Sequence, residues 1–345
     1  MNIQAYCTID DILKDAENAS GLPDNFLDRF ILPASRFIAG EIGEFLPVIE
    51  TLRFTGDGET ALFVPPLLRV TSNITNGDDS LAASEYILRA SQHSNRPAWP
   101  NGPYCRIDPS PDALLVGAWS TDLNDVVIPG VWGLYELANA LGVTVASEQS
   151  VSVETLTVAD GSKLSPGMML GIGSEMEFVS GYGSPTSAVT TLSAAIDGSQ
   201  EEITLTNGAL VKIGEVLRAG FEKLKVLDIS GNAAYVTRGF DRTKKVTHPN
   251  GTGVDVYRTF AVKRACNGST AAIHTAATAI SRYFVPEDVN YLARQIATLM
   301  AKKSQGGYAG RAGNPESGES YFMYEFPKDA IAKVKANYRL GTVRS

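Results

Sequence analysis

The spacing of apolar residues changes twice along the chain. At the start it is helical: Ile9, Ile12, Leu13 and Ala16 share a face, Thr8 is placed to cap, Asp10 and Asp11 occupy the first turn, and Gly21 follows. A second helix is expected after Leu22-Pro23-Asp24. Its apolar face is Phe26, Leu27, Phe30, Ile31, Ala34, Phe37, Ile38 and Ile42, with a bend or break at Pro33 and a stop at Gly43. From Thr51 the period becomes two. Leu52–Phe54 and Leu62–Val64 flank Gly56-Asp57-Gly58 and predict a hairpin. Further strands are expected at Pro65–Ser72, at Tyr86–Arg89 after a turn at Asn76-Gly77-Asp78, and near Cys105–Ile107 after an exposed loop over Ser91–Pro103. Val126–Gly133 follows, with Trp132 as a core anchor.

From Val145 to Ser281 the text is β-type, rich in Thr, Val and Gly. Helical spacing returns at Pro286-Glu287-Asp288. Val289, Leu292, Ile296, Leu299 and Met300 form its apolar face, and Lys302-Lys303 suit the last turn. A Gly- and Ser-rich loop, Ser304–Ser320, and an aromatic run, Tyr321–Phe326, lead to a last helix opening at Pro327, with Ile331, Val334 and Tyr338 on one side. Helices at both ends around a β middle predict an α+β fold. Its α-helical core, N- and C-terminal helices plus short hairpins, is discontinuous, residues 1–144 and 281–345, and is interrupted by an inserted all-β domain, residues 145–280.

The middle repeats itself. Leu156–Gly161 aligns with Ile203–Gly208, and the same offset of about 47 places Gly167 on Gly214, Leu170 on Leu217, Gly173 on Gly220 and Glu175 on Glu222. A second offset of about 26 places Arg238, Thr243, His248, Thr252, Val254 and Tyr257 on Arg264, Ser269, His274, Thr278, Ile280 and Tyr283. The order A, A′, B, B′ is what results when one A–B module is inserted between the halves of another. Each module is small, so the two are expected to pack together as one β domain. The repeated charges predict two structural pairs, Glu222 with Arg238 and Glu175 with Arg264, because buried charges need partners.

Chemistry is otherwise sparse. The formal charge of −8 argues against a protein that clamps nucleic acid through its phosphates, while an acidic wall lets a duplex slide past. Cys7, Cys105 and Cys266 lack metal or disulfide spacing and read as isolated thiols. His93, His248 and His274 have no H-x-x-x-H or Cys companion, so no metal is expected, and the repeated pair reads as a copied hydrogen-bonding residue. Gly171-Ile-Gly173 and Gly181-Tyr-Gly183 lack the rest of a dinucleotide loop, and no Walker or nucleophile-elbow motif occurs. No catalytic residue, cofactor or enzymatic activity is expected. The first residues have no basic, apolar leader, and the protein is expected to be made in the cytoplasm without a membrane span.

The N-terminal helices, Leu52–Val64, the phrase Pro66–Ser72, Glu85–Leu88 and Gly130-Val131-Trp132-Gly133 resemble the head-to-tail connector (adaptor, head-completion) proteins of tailed bacteriophages. So does the C-terminal order of helix at Pro286, aromatic strand and Tyr338-Arg339 tail. The likeness covers about residues 6–135 and 284–340, and the large insertion departs from it. It implies a structural virion protein of the neck: a homo-oligomeric ring, commonly of twelve subunits, between the portal protein and a downstream neck or tail-terminator protein. Double-stranded DNA would pass through without sequence-specific binding. The C-terminal arm, with Tyr338, Arg339, Leu340, Val343 and Arg344, would dock on the portal. The alternative is a virion-surface or secreted protein whose β domain binds carbohydrate.

Overall fold

The computed structural model of the chain describes residues 1–15, 25–90, 103–111, 117–305, 311–314, 319–322 and 327–338. The predicted start of the second helix, most of the Ser91–Pro103 loop, and His93 lie outside them. Helix α1 (Ile9–Asp15) is capped reciprocally: Thr8 Oγ1 accepts the Asp11 N–H at 3.1 Å and Asp11 Oδ2 accepts the Thr8 N–H at 2.9 Å. Helix α2 (Leu32–Ile42) follows directly on a π-helical turn, Leu27–Ile31. Pro33 has no N–H for the carbonyl one turn back, and the irregular turn falls just before it.

Helix α3 (Glu287–Gln305) packs on α2 and on the π turn, and α4 (Lys328–Tyr338) adds Val334. The buried stripe of α3 is Val289, Leu292, Ala293, Ile296, Ala297 and Ala301, while Leu299 and Met300, expected on the same face, are only half-buried. Phe30, Ile31 and Ile38 from one end of the chain meet Ile296 and Val334 from the other in a single apolar cluster, which also takes in Met169, Met176, Phe178 and Cys266 from the β middle.

The expected hairpin near residue 56 does not form. Strands β1 (Val48–Phe54), β2 (Leu62–Val70), β3 (Ile74–Asn76), β4 (Asp79–Leu81), β5 (Tyr86–Ala90), β6 (Tyr104–Pro109) and β7 (Val126–Trp132) make one antiparallel sheet. In it β7 lies between β1 and β2. The reason is local. Gly56 donates its N–H to the Ser120 carbonyl at 2.7 Å, and a Cβ there would stand 2.6 Å from that oxygen, so this stretch is pressed onto Trp119 and Ser120 instead of closing a turn. The sheet has its own core of Leu67, Ile74, Leu81, Ile107, Trp119, Ile128 and Trp132. Residues 1–144 therefore hold, beside the helical body, a seven-stranded sheet with its own core where only short hairpins were expected. Within the stretch expected to be a Gly- and Ser-rich loop, β20 (Arg311–Asn314) pairs with β21 (Glu319–Phe322), in chain order after the strands described next.

The β middle consists of two copies of one six-stranded unit. The strands in chain order are β8 (Leu137–Thr144), β9 (Thr155–Thr157), β10 (Met169–Ile172), β11 (Glu175–Tyr182), β12 (Thr186–Thr191) and β13 (Glu202–Thr204). They continue with β14 (Val216–Ala219), β15 (Glu222–Ser230), β16 (Ala233–Thr237), β17 (Gly253–Val256), β18 (Thr259–Lys263) and β19 (Ala279–Phe284). One sheet runs β8-β19-β10-β11-β18-β9 and the other β12-β17-β14-β15-β16-β13. Bridges Val145↔Val158 and Leu192↔Leu205 join the first strand of each sheet to the last, closing each into a small barrel. The outer barrel is split in sequence; the inner one is continuous.

The inner barrel replaces a hairpin turn of the outer one. Its β15 and β16 are joined by Gly231-Asn232, with Gly231 at φ +61°. The corresponding strands β11 and β18 of the outer barrel are joined instead by the whole inner barrel. The chain leaves and returns at one point: Gly183 donates to the Thr259 carbonyl at 2.9 Å. The unit is larger than the expected 145–280, since β8, placed by sequence in the helical core, pairs with β19. Nor is there one shared core. Leu156, Leu170, Val179 and Phe260 fill the outer barrel, and Leu205, Leu217, Leu224 and Val254 the inner. Closure leaves each barrel without free edges, so each buries its own interior, and they meet through Arg258, which grips Glu215 at 2.7 and 3.0 Å, and through Tyr182 against Tyr257.

Candidate functional site

Each barrel holds a Glu-Arg-His cluster at the β-hairpin that follows its αL glycine, Gly173 at φ +60° and Gly220 at φ +58°. In the inner barrel Glu222 opens β15, and Arg238 directly follows β16. Arg238 Nε and Nη2 donate to the two Glu222 oxygens, both at 2.7 Å, with both side chains fully buried. His248 Nε2 lies 2.9 Å from Glu222 Oε2, and the N–H groups of Gly239 and Val246 complete the carboxylate. The remaining Arg238 donors go to the carbonyls of Asp197, Gln200 and Val246. Burial alone would raise the Glu222 carboxyl; Arg238, His248 and the amide outweigh it and hold it below the ordinary range.

The outer barrel repeats the arrangement. Arg264 Nε and Nη2 reach Glu175 at 2.8 and 2.7 Å, His274 Nε2 lies 2.9 Å from Glu175 Oε2, and the Ala265 and Ala272 amides each donate at 2.9 Å. Against the opposing effect of burial, these donors hold Glu175 at about 2. Thus both Glu-Arg pairs named from the repeat come together across a sequence gap that differs between the copies, and each fixes the loop that carries its histidine.

The outer cluster has an addition that sequence reasoning missed. Glu177, fully buried, stands where the inner barrel has Leu224, and Gln149 where it has Ile196. The signal was available in the offset of 47, as two polar residues over two apolar ones. Glu177 Oε1 lies 2.9 Å from Arg264 Nε and 3.3 Å from His274 Nε2, but both donors are aimed at Glu175, and Oε1 has no hydrogen bond. Its one hydrogen bond is long, 3.3 Å from Gln149 Nε2 to Oε2. Burial, only partly offset by Arg264, pushes the Glu177 carboxyl up to about 7. Glu175, Glu177 and His274 offer ligand atoms within 4.8 Å of one another. Since Glu175 is saturated by Arg264 and two amides, and a guanidinium stands among the three, the group suits a proton better than a dication.

Of the residues that the connector resemblance places on the portal, Tyr338 ends α4. Its hydroxyl donates to Asp288 Oδ1 at 2.7 Å and its ring meets Phe45 edge-on at 5.0 Å, so it belongs to the helical body and does not begin a free arm. Arg339, Leu340, Val343 and Arg344 lie outside the described residues. Cys7 and Cys266 are buried and Cys105 half-buried, and none of them forms a disulfide among the described residues. No described helix is long and apolar enough to cross a membrane. The chain matches no family model, no curated protein and no solved structure.

Proposed function

We propose that the protein is a structural component of a tailed-bacteriophage neck, a connector whose copies close into a ring between portal and tail and surround passing DNA. The observation that carries this reading is the convergence of the two chain ends. Helices α1 and α2 share one apolar cluster with α3 and α4, the order of elements on which the resemblance to connector proteins rests. A head-to-tail contact repeated around an axis closes such a body into a ring, and a net charge of −8 suits a channel that must not hold DNA. The Glu-Arg pairs fit a structural role as well: the carboxylate and guanidinium of each are spent on one another and on backbone, as in a staple.

Negative-stain microscopy and sedimentation of the full chain, alone and with portal protein, test the reading. Rings of uniform diameter that bind portal are the expected result. A monomer that ignores portal overturns it, and a monomer that binds glycans favours the carbohydrate alternative.

A further inference from the structure

We propose that the outer barrel contains a proton-operated latch: with His274 neutral, its buried cluster is charge-balanced only while Glu177 holds a proton, and release of that proton loosens the loop, residues 264–274, that ties the start of the chain to the barrel.

The inner barrel serves as an internal control. There Arg238 balances Glu222, His248 Nε2 lies 2.9 Å from the same carboxylate, and Leu224 and Ile196 complete an apolar interior. The outer barrel repeats the set as Arg264, Glu175 and His274 and then adds a second buried carboxyl with no second permanent cation, since His274, 3.3 Å from Glu177 Oε1, is charged only if protonated. The groups facing Glu177 come from every neighbouring element. β11 itself brings Glu175, the turn after β18 brings Arg264 and the Cys266 thiol, the segment before β19 brings His274, the segment after β8 brings uncharged Gln149, and β10 presents Leu170 in register. Lys263 is in register with Phe178, on the opposite face of β11. An ionised Glu177 therefore leaves one uncompensated negative charge in a closed interior unless His274 takes up the proton. The unused Gln149 Oε1 beside it is the acceptor available to a protonated carboxyl.

The loop that this cluster holds has a second task, absent from the inner barrel. Asn267, fully buried, donates its N–H to the Met1 carbonyl at 2.8 Å, accepts the Ile3 N–H at 2.7 Å on Oδ1 and donates from Nδ2 to the Pro47 carbonyl at 3.1 Å. Its counterpart Asp241 instead pairs with Lys223 within the inner barrel. Arg264 and His274 bracket this loop, and Glu175 binds its Ala265 and Ala272 amides, so charge in the cluster acts directly on the seat of the N-terminal segment.

The test is amide exchange of residues 2–7 in the full chain, read as the ratio of wild type to Glu177→Gln at the same pH so that intrinsic exchange cancels. If opening exposes Glu177, the ratio rises about tenfold between pH 6 and pH 8. A ratio unchanged between these pH values overturns the latch. Should Glu177→Gln fold poorly, the pair Gln149→Ile with Glu177→Leu, which copies the inner barrel, serves instead, and exchange in that variant as pH-dependent as in wild type overturns the proposal equally.

Discussion

At the scale of residues, the two Glu-Arg pairs and the extra carboxyl pull stability in opposite directions. Replacing Arg264 with Ala leaves Glu175 buried and unpaired, and denaturant unfolding should show a loss of about 3–5 kcal/mol. Arg238→Ala should cost a similar amount, and the charge-conserving Lys variants should recover little of it, because an ammonium cannot grip both carboxylate oxygens. Glu175 is held below its ordinary value, so the stability it gives is present above about pH 4.5 and is lost as pH falls from there towards 2. Glu177 is raised, so folding favours its protonated form, and stability falls as pH rises from about 4.5 to about 7 and then levels. The double replacement Gln149→Ile and Glu177→Leu should therefore stabilise the chain at pH 8 by roughly 2–3 kcal/mol and by much less at pH 4.5. A melting series across that range checks both the sign and the window. The Glu-Arg pairs were legible in the sequence because two offsets repeated like over like; Glu177 was legible only as a mismatch between copies, which says nothing of charge balance until the shared interior is seen.

At the scale of elements, long periodic segments were legible and pairings were not. The helix from Glu287 and the helix from Lys328 fall where their apolar spacing and proline starts place them, since both signals are local. The hairpin at Gly56 failed because Gly56 serves a close approach to Trp119 and Ser120, a long-range contact that the same Gly-Asp-Gly text cannot distinguish from a turn. The end of α4 changes how the C-terminal arm must be cut. Tyr338 holds Asp288 near the start of α3 and packs on Phe45, so Tyr338→Phe should cost about 1 kcal/mol while leaving the fold intact. A truncation that begins at Arg339 spares that contact, and one that begins at Tyr338 does not. If the arm docks on portal, the Arg339 truncation alone should abolish portal binding in a pull-down with no change in melting temperature. Portal binding retained at wild-type strength would remove the arm from the interface.

At the scale of the whole molecule, the nested order A, A′, B, B′ makes a claim about independence. An insertion is tolerated where the host chain's two ends already lie together and the guest's own ends meet. Both conditions hold: Gly183 bonds Thr259 at the exit from the outer barrel, and Thr186 is in register with Val256 at the base of the inner one. The inner barrel also shows what the outer one needs in its place, a two-residue turn of Gly231-Asn232 between strands of the same register. Residues 184–258 replaced by Gly-Asn should therefore leave a chain that folds cooperatively, with amide exchange unchanged in α2 to α4 and in the remaining outer strands, while α1 loses the ion pair of Asp10 with Lys225. The loss should be confined to the contacts across the seam, of which the Arg258 grip on Glu215 is the best ordered. If that shortened chain still assembles as the full chain does, assembly belongs to the helical body and the sheet of β1 to β7, and the inner barrel is left free for a task of its own. If it folds but no longer assembles, the inner barrel supplies part of the contact between copies, and the ring cannot be built from the connector-like portion alone.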